Sequence, residues 1–458
     1  MSISPELISK YSVSGPRYTS YPTAAEFRDD FPADEWPKML HSDACNRTGA
    51  FYVHLPFCRS LCYFCACHKV ITSSHAPVRR YLHALKAEMR IASDYLGVGF
   101  AVDHLHLGGG TPNFLEPREL EELIRGFDEA FPCRTDNAEL SIELDPRTTS
   151  REHVRMLAHL GFTRISCGVQ DFDSAVQEAI NRHQTFEQTR ELFDSARNLG
   201  LESINIDLIY GLPRQTLSGF EQTLDRVLCL RPDRVALYGY AHLPSREKVQ
   251  TSFRRFPLPA PAERIALLLL AVTRLESAGY VFIGIDHFAL PTDPLVRAQK
   301  EGTLRRNFMG YTDRVSEPLI GFGVSAISSL PGAFAQNEKR IDEYERSLLD
   351  EAKLPVKYGV IRTPDDRVRG EIIERLLCDR RVSYENFRAR LGVEFEGYFA
   401  ESLRDLQELE GDGLIRRTST AIEITSPGEF FLRNVAMAFD RYLPARRSDV
   451  RPVFSQAV

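Results

Sequence analysis

Several things are scarce in this sequence, and each scarcity removes a class of protein. One tryptophan and six methionines occur in 458 residues. No apolar run approaches the roughly 20 residues that cross a bilayer, so a membrane-spanning helix is not expected. Lys and Arg number 57 against 63 Asp and Glu, a net charge of −6. That balance lacks the basic excess that accompanies nucleic acid or anionic lipid. Met1 is not followed by the apolar core of a secretory signal. The cysteines number nine, an odd count that argues against a secreted disulfide framework. Reduced thiols in a cytoplasmic protein are the expectation. Neither repeats nor low-complexity tracts interrupt the chain. With 43% hydrophobic residues it should form one large domain plus a smaller one.

What is present is concentrated. Four of the nine cysteines fall within "CRSLCYFCACHKV", residues 58–70, spaced Cys58-x3-Cys62-x2-Cys65-x-Cys67. The other five, at 45, 133, 167, 229 and 378, form no second pair. A zinc site prefers two separated pairs, so zinc would need four crowded thiols or help from His68. A thioredoxin-like reading of "CYFC" wants two cysteines at a helix start. The triplet C-x3-C-x2-C suits three corners of a [4Fe–4S] cluster, leaving the fourth iron open.

From residue 51 to about 290, short β-rich runs alternate with helical patterns. The expected strands are 51–55, 103–107, 139–145, 164–170, 203–209, 234–242 and 280–288. Between them "PRELEELIRGFDEAF" repeats Leu120, Leu123, Ile124 and Phe127 at helical spacing behind an opening proline. Such alternation predicts an α/β fold with a parallel sheet. Within the strands, polar and apolar residues alternate with period two, as in "ELSIELD" and "SINIDLI". An ordinary closed barrel fills its interior with branched apolar side chains. A polar inner face suggests a wide, incomplete barrel around something large and polar, the alternative being one solvated sheet face. The cysteine loop follows the first strand, on the rim where barrel active sites gather. After about residue 330 the pattern turns helical and then to a short hairpin. That order resembles a winged helix, but residues 367–435 carry 11 Arg and Lys against 13 Asp and Glu, so DNA binding is not expected.

The cysteine motif resembles that of the radical S-adenosylmethionine (radical SAM) enzymes. A further series in order, "GPRYTSYPTA", "YVHLPFCRSLCYFCACHK", "LHLGGGTPNFL", "SIELDPR", "GVQDF", "NIDLIYGLPRQT", "YAHLP", "GIDHFALP" and "GVSAIS", is similar to the oxygen-independent coproporphyrinogen III oxidases. The likeness covers nearly the whole chain. It implies an incomplete (β/α)6 TIM-type barrel over 51–330. It adds an N-terminal extension over 1–50 acting as an active-site lid, and a mainly helical C-terminal domain with a short hairpin over 331–458. The implied activity is anaerobic oxidative decarboxylation of two propionates of coproporphyrinogen III to vinyl groups, giving protoporphyrinogen IX by a 5′-deoxyadenosyl radical. A haem-binding chaperone of the same superfamily is the alternative. That branch generally lacks the "GPRYTSYPT" segment and a cysteine at position 67.

The resemblance also implies roles. Cys58, Cys62 and Cys65 would ligate the cluster, with Cys67 as a non-ligating accessory. Tyr52, Gly109 and Glu143 would contact one S-adenosylmethionine, with Ile327 against its adenine. Phe64, Gly110, Thr111, Gln170, Arg182, Asp207 and Ala241 would contact a second. A substrate with four carboxylates calls for cations, and Arg17, Arg246 and Arg306 are candidates that spacing cannot separate. Tyr18 and Tyr21 are candidates to cover the macrocycle, and Asp286 and His287 to handle protons. The expected partner is an electron-donor protein such as a flavodoxin or ferredoxin, and the expected state is a monomer.

Overall fold

The computed structural model describes every residue except 1–3, 45–46, 98, 245–246, 315–316, 444–453 and 455–458. Cys45 and the candidate Arg246 therefore lie outside the described residues. Six parallel strands follow one another as expected: β1 (Thr48–Leu55), β2 (Ala101–Gly109), β3 (Arg134–Leu144), β4 (Arg164–Gln170), β5 (Ser203–Tyr210) and β6 (Arg234–Gly239). Helices Ala76–Leu96, Pro117–Ala130, Arg151–His159, Phe186–Asn198 and Leu217–Leu230 connect them. In Pro117–Ala130 the proline opens the helix and Glu116 and Glu119 cap it reciprocally. Its Leu120, Leu123, Ile124 and Phe127 are buried.

The expected strand over 280–288 is a hairpin. It divides into β7 (Val281–Gly284) and β8 (His287–Ala289), which pair antiparallel around Ile285 at φ 46°. β8 also pairs antiparallel with β6. At the other edge, β9 (Leu319–Phe322) lies parallel to β1, a strand the sequence reading missed. β10 (Ile327–Leu330), β11 (Ala333–Asn337) and β12 (Val356–Ile361) extend that edge as an antiparallel meander. The twelve strands run β12-β11-β10-β9-β1-β2-β3-β4-β5-β6-β8-β7. The sheet is an incomplete barrel. It continues to Ile361, so the expected boundary at 330 cuts through it, and the helical region begins with Pro364–Asp379. Part of the expected helical region breaks into the short helices Phe395–Tyr398, Ala400–Asp405 and Gln407–Gly411, with Phe399 and Leu406 buried. A three-stranded sheet (Arg381–Ser383, Ile415–Arg417 and Ala421–Ile424) stands where one hairpin was expected.

The period-two alternation becomes rows across the barrel. Phe51, Leu105, Ile142, Ile165, Ile206 and Val235 face the helices at 0% exposure. Inward rows follow the registers Tyr52↔His106↔Ser141↔Arg164 and Gly168↔Asp207↔Ala236↔His287. The N-terminal segment joins the C-terminal region in a second core. Tyr11, Tyr18 and Tyr21 pack with Phe431, Val435 and Phe439.

Candidate active site

The cysteine loop leaves the end of β1 and is closed at its base by a two-residue parallel pairing, Phe57↔Val70 and Cys58↔Ile71. Side contacts hold it to the barrel rim. Asn181 Nδ2 donates to the Leu61 carbonyl at 2.8 Å, and the Tyr63 amide donates to the Ile180 carbonyl at 3.0 Å. Within the loop Lys69 Nζ donates to the carbonyls of Cys65 (2.9 Å) and Cys67 (3.1 Å).

The four thiols differ in surroundings. Cys62 is buried, with Arg182 Nη1 at 3.6 Å and Arg147 Nη2 at 3.8 Å from its sulfur. Cys58 Sγ lies 3.3 Å from Thr111 Oγ1, and burial pushes its thiol up to about 11. A hydrogen bond from Cys67 pulls Cys65 down to about 6, with Lys69 helping against desolvation. Cys67 is exposed. Among the described residues no three His, Cys, Asp or Glu side chains gather around a single ion position.

The "GGGTP" turn ends β2 against β1. A Cβ on Gly109, at φ 117°, would sit 2.7 Å from the His54 ring, and one on Gly110 would sit 2.5 Å from the Pro56 carbonyl oxygen. Close approach of two strand ends therefore demands glycine here. The Gly109 amide donates to Glu143 Oε2 at 3.1 Å, and His106 Nε2 lies 3.5 Å from Glu143 Oε1. Tyr52 bonds His54 Nδ1 at 3.0 Å, and its ring stacks on His106.

Deeper in the lumen the polar groups satisfy one another. Ser141 Oγ is 2.7 Å from both His104 Nε2 and His106 Nδ1. Asp207 accepts from Asn205 at 2.8 Å and Ser166 at 3.2 Å. Burial and the nearby Glu143 charge lift its carboxyl to about 7 against those bonds. Arg182 pairs with Asp145 at 3.2 Å and also donates to the Gly168 carbonyl. Its Nε is buried without a hydrogen-bond partner. Gln170 is buried at φ 67° beside it. Half-buried Phe64 packs with Val176, Ile180, Ile209, Tyr240 and Phe253. Ala241 is half-buried after β6, its carbonyl accepting from Gln250, and half-buried Ile327 begins β10.

The remaining candidates cluster near β6 and β8. Arg17 donates to Asp286 at 3.0 Å and to the Gly239 carbonyl at 3.3 Å, and its guanidinium lies 5.4 Å from the Tyr238 ring centroid. Asp286 is thus an ion-pair partner rather than a free proton carrier. Burial lowers His287 to about 3, leaving a neutral imidazole. Tyr18 and Tyr21 do not present open faces to a macrocycle. Both are 4% exposed; Tyr18 donates to Asp440 at 2.9 Å, and the Tyr21 hydroxyl accepts from the Arg441 amide at 2.9 Å.

Residues 52–227 match the radical SAM superfamily and residues 363–431 match the HemN C-terminal domain. An oxygen-independent coproporphyrinogen III oxidase of Pseudomonas aeruginosa is 44% identical over 96% of each chain. That of Escherichia coli is 42% identical over 95% of each. The solved structure of the Escherichia coli coproporphyrinogen III oxidase, described as a radical SAM enzyme, aligns at a TM-score of 0.90. It has 39% identity, covering 96% of this chain and 99% of that one.

The chain belongs to the oxygen-independent coproporphyrinogen III oxidase family.

As a radical SAM member of this oxidase family, it takes a [4Fe–4S] cluster and S-adenosylmethionine. Its residues fit both groups. Three thiols hang from one anchored loop, two guanidinium groups face the buried one, and Arg182 Nε waits unmet beside them. Positive charge of that kind favours thiolates and an anionic cluster. The Arg147–Cys62 contact and the Ser141 bridge were missed in the sequence. Arg147 lies in the quoted "SIELDPR", and Ser141 sits on the inward face between Glu139 and Glu143, so the second at least could be found from strand alternation.

Proposed function

We infer that this chain converts two propionate side chains of coproporphyrinogen III to vinyl groups without oxygen, giving protoporphyrinogen IX in haem biosynthesis. The observation that carries this is likeness to coproporphyrinogen III oxidases along 96% of the chain, with the three thiols at the barrel rim. It favours the oxidase over the haem-chaperone alternative.

Cys58, Cys62 and Cys65 would hold the cluster, and Cys67 would donate to Cys65 rather than bind iron. When bound, the cluster and S-adenosylmethionine supply a 5′-deoxyadenosyl radical that takes hydrogen from a propionate. The protein's share is binding, orientation and exclusion of water. Tyr52, Gly109, Glu143 and Ile327 would line the first cofactor's place. Glu143 would meet its ammonium, held in position by the Gly109 amide and His106. Phe64, Gly110, Thr111, Gln170, Arg182, Asp207 and Ala241 would line the second. Support for a second cofactor comes from polar groups exceeding what one molecule needs. The N-terminal strap would close the site by carrying Arg17 to the end of β6. An electron-donor protein of the flavodoxin or ferredoxin kind would supply the reducing electron to a monomeric enzyme in the cytoplasm. Among the described residues no helix is long and apolar enough to cross a membrane.

The test is anaerobic turnover with a strong reductant, following CO2 release and the divinyl product. Protein that binds haem tightly yet releases no CO2 defeats the reading.

A further inference from the structure

Only two of the substrate's four propionates are converted, so two carboxylates persist through the reaction and can be held throughout. This inference rests on the function proposed above. Of the three candidate arginines, Arg246 lies outside the described residues. Arg17 is already balanced by Asp286 at 3.0 Å. Arg306 stands apart from both.

Arg306 lies on the short strand Arg305–Asn307, paired with Gly310–Thr312. Its backbone amide donates to Glu374 at 3.2 Å, while its guanidinium lies over the Tyr311 ring with Cζ 4.5 Å from the centroid. Its Nε and Nη1 are buried with no hydrogen-bond partner. Among the described residues no carboxylate forms an ion pair with it. Arg306 itself is half-buried, and its buried Nε and Nη1 lack the hydrogen bonds that a carboxylate ligand would supply. A second contact of Tyr311 repeats the pattern. His287 meets that ring at 5.5 Å and 78°, and its Nδ1 is also buried and unpartnered. His287 shares the lumen face, since its Cα pairs with Ala236, next to Asp207 in register.

These contacts continue as a row. His287 meets Tyr238 at 6.1 Å and 89°, and Arg17 closes the far end over Tyr238 at 5.4 Å. A guanidinium therefore stands at each end of a Tyr238–His287–Tyr311 row, Arg17 paired with Asp286 and Arg306 without an ion pair among the described residues. Beside Arg306 a cavity of about 160 Å³ opens, with room for a side arm; Glu317, Glu371 and Glu374 also line it, and Arg362 is paired with Glu317. A guanidinium fork suits a carboxylate.

We propose that Arg306, with His287 Nδ1 against the same Tyr311 ring, anchors a propionate that the reaction leaves unconverted. The imbalance between the two ends gives the substrate a direction. The unconverted carboxylate goes to Arg306.

Arg306→Gln should raise KM for coproporphyrinogen III by about tenfold or more, the scale of a lost charge-assisted hydrogen bond. Iron content and substrate-free cleavage of S-adenosylmethionine should stay at the wild-type level, since neither uses this anchor. The second arm uses unmodified protein and two porphyrinogen analogues, each with one unconverted propionate replaced by propyl. One of them should lose a similar factor with wild-type protein and little further with Arg306→Gln. A KM unchanged in a folded Arg306→Gln variant overturns the proposal. Wild-type indifference to both analogues overturns it too, whether or not the variant folds. Wild-type protein that never releases CO2 from coproporphyrinogen III fails the proposed function instead, so the two failures are distinguishable.

Discussion

Phe51 and Tyr52 are neighbours on β1, yet the Phe51 ring packs against Phe100, Phe127, Phe131 and Phe322, whereas Tyr52 meets His54 and His106. The same contrast runs along every parallel strand, because successive side chains point to opposite faces. Outside, a rare polar intruder is fully provided for. Glu88, on Ala76–Leu96, accepts from the Gly323 amide at 2.8 Å, from Asn337 at 2.6 Å and from Tyr344. Inside, Arg182 Nε, His104 Nδ1 and His287 Nδ1 have no partner. Unpartnered atoms occur outside the lumen too, Arg274 Nε and Asn434 Oδ1 among them, so the contrast rests on where the leftover atoms cluster. In a lumen, buried atoms left over mark where a ligand completes the set.

The comparison breaks hardest at the cysteine loop, where inner-face chemistry depends on single atoms. Cys58→Ser, Cys62→Ser or Cys65→Ser should each abolish the cluster and with it all turnover, measured as iron and sulfide per chain in anaerobic protein. Cys67→Ser should keep the iron. Equal loss at all four positions would remove the distinction drawn between Cys67 and its neighbours.

One step smaller is Glu143→Gln, which keeps shape and removes charge. The expected loss in kcat/KM for S-adenosylmethionine is roughly 10- to 100-fold, the cost of a hydrogen bond to a charged group, with the melting temperature nearly unchanged. The outer-face counterpart is Leu105→Ala at 0% exposure. It should cost about 2–5 kcal/mol of stability and leave KM alone in whatever protein remains folded. If the inner variant unfolds the protein and the outer one alters KM, the division between the faces is wrong.

Glu88 gives the contrast a pH signature. Burial lifts its carboxyl to about 7 from an ordinary 4.5, against the donors around it. The folded protein therefore holds this proton more tightly than the unfolded chain. Its stabilising contribution is full below the unfolded value and is lost as pH rises from about 4.5 towards 7. Melting temperature should fall less steeply over that window in Glu88→Gln than in the unmodified protein. Equal slopes would assign the pH dependence to other groups, Asp207 first among them.

The sequence made the alternating faces legible because a period of two needs no tertiary information. His104, His106, Ser141, Asp207 and Tyr238 could be set on one side before any strand was paired. The thiol spacing was legible for the same local reason. The hairpin at 280–288 was not, since "YVFIGIDHF" reads as one run and the reversal depends on Ile285 adopting φ 46°. Nor was β9 legible. "PLIGFG" is short and glycine-rich, and its glycine matters only through packing, since a Cβ on Gly321 would sit 2.4 Å from the Ile327 carbonyl oxygen. Which arginine is balanced is likewise a pairing of distant residues. Arg17 and Asp286 are 269 positions apart, and no spacing rule joins them.

The smallest effect tests whether the N-terminal strap belongs to the lumen or to the outer shell. Tyr18 is buried at 4% exposure and donates to Asp440 at 2.9 Å, while Arg433 donates to the carbonyls of Gly15 and Pro16 just before Arg17. The strap is thus tied to the C-terminal region along the stretch that delivers Arg17 to Asp286. Tyr18→Phe removes one hydroxyl and no volume from the packing with Phe439 and its neighbours. Asp440 keeps the Tyr442 amide at 2.9 Å, so the expected cost is about 1–2 kcal/mol, not the full price of a stranded carboxylate. A lowered melting temperature with KM for the porphyrinogen unchanged would make this hydroxyl part of the shell. A raised KM at unchanged melting temperature would place it in the lumen's machinery, because Arg17 would then sit differently over Tyr238. The first outcome is expected, since Arg433 and Asp286 still hold residues 15–17 of the strap just before the missing bond.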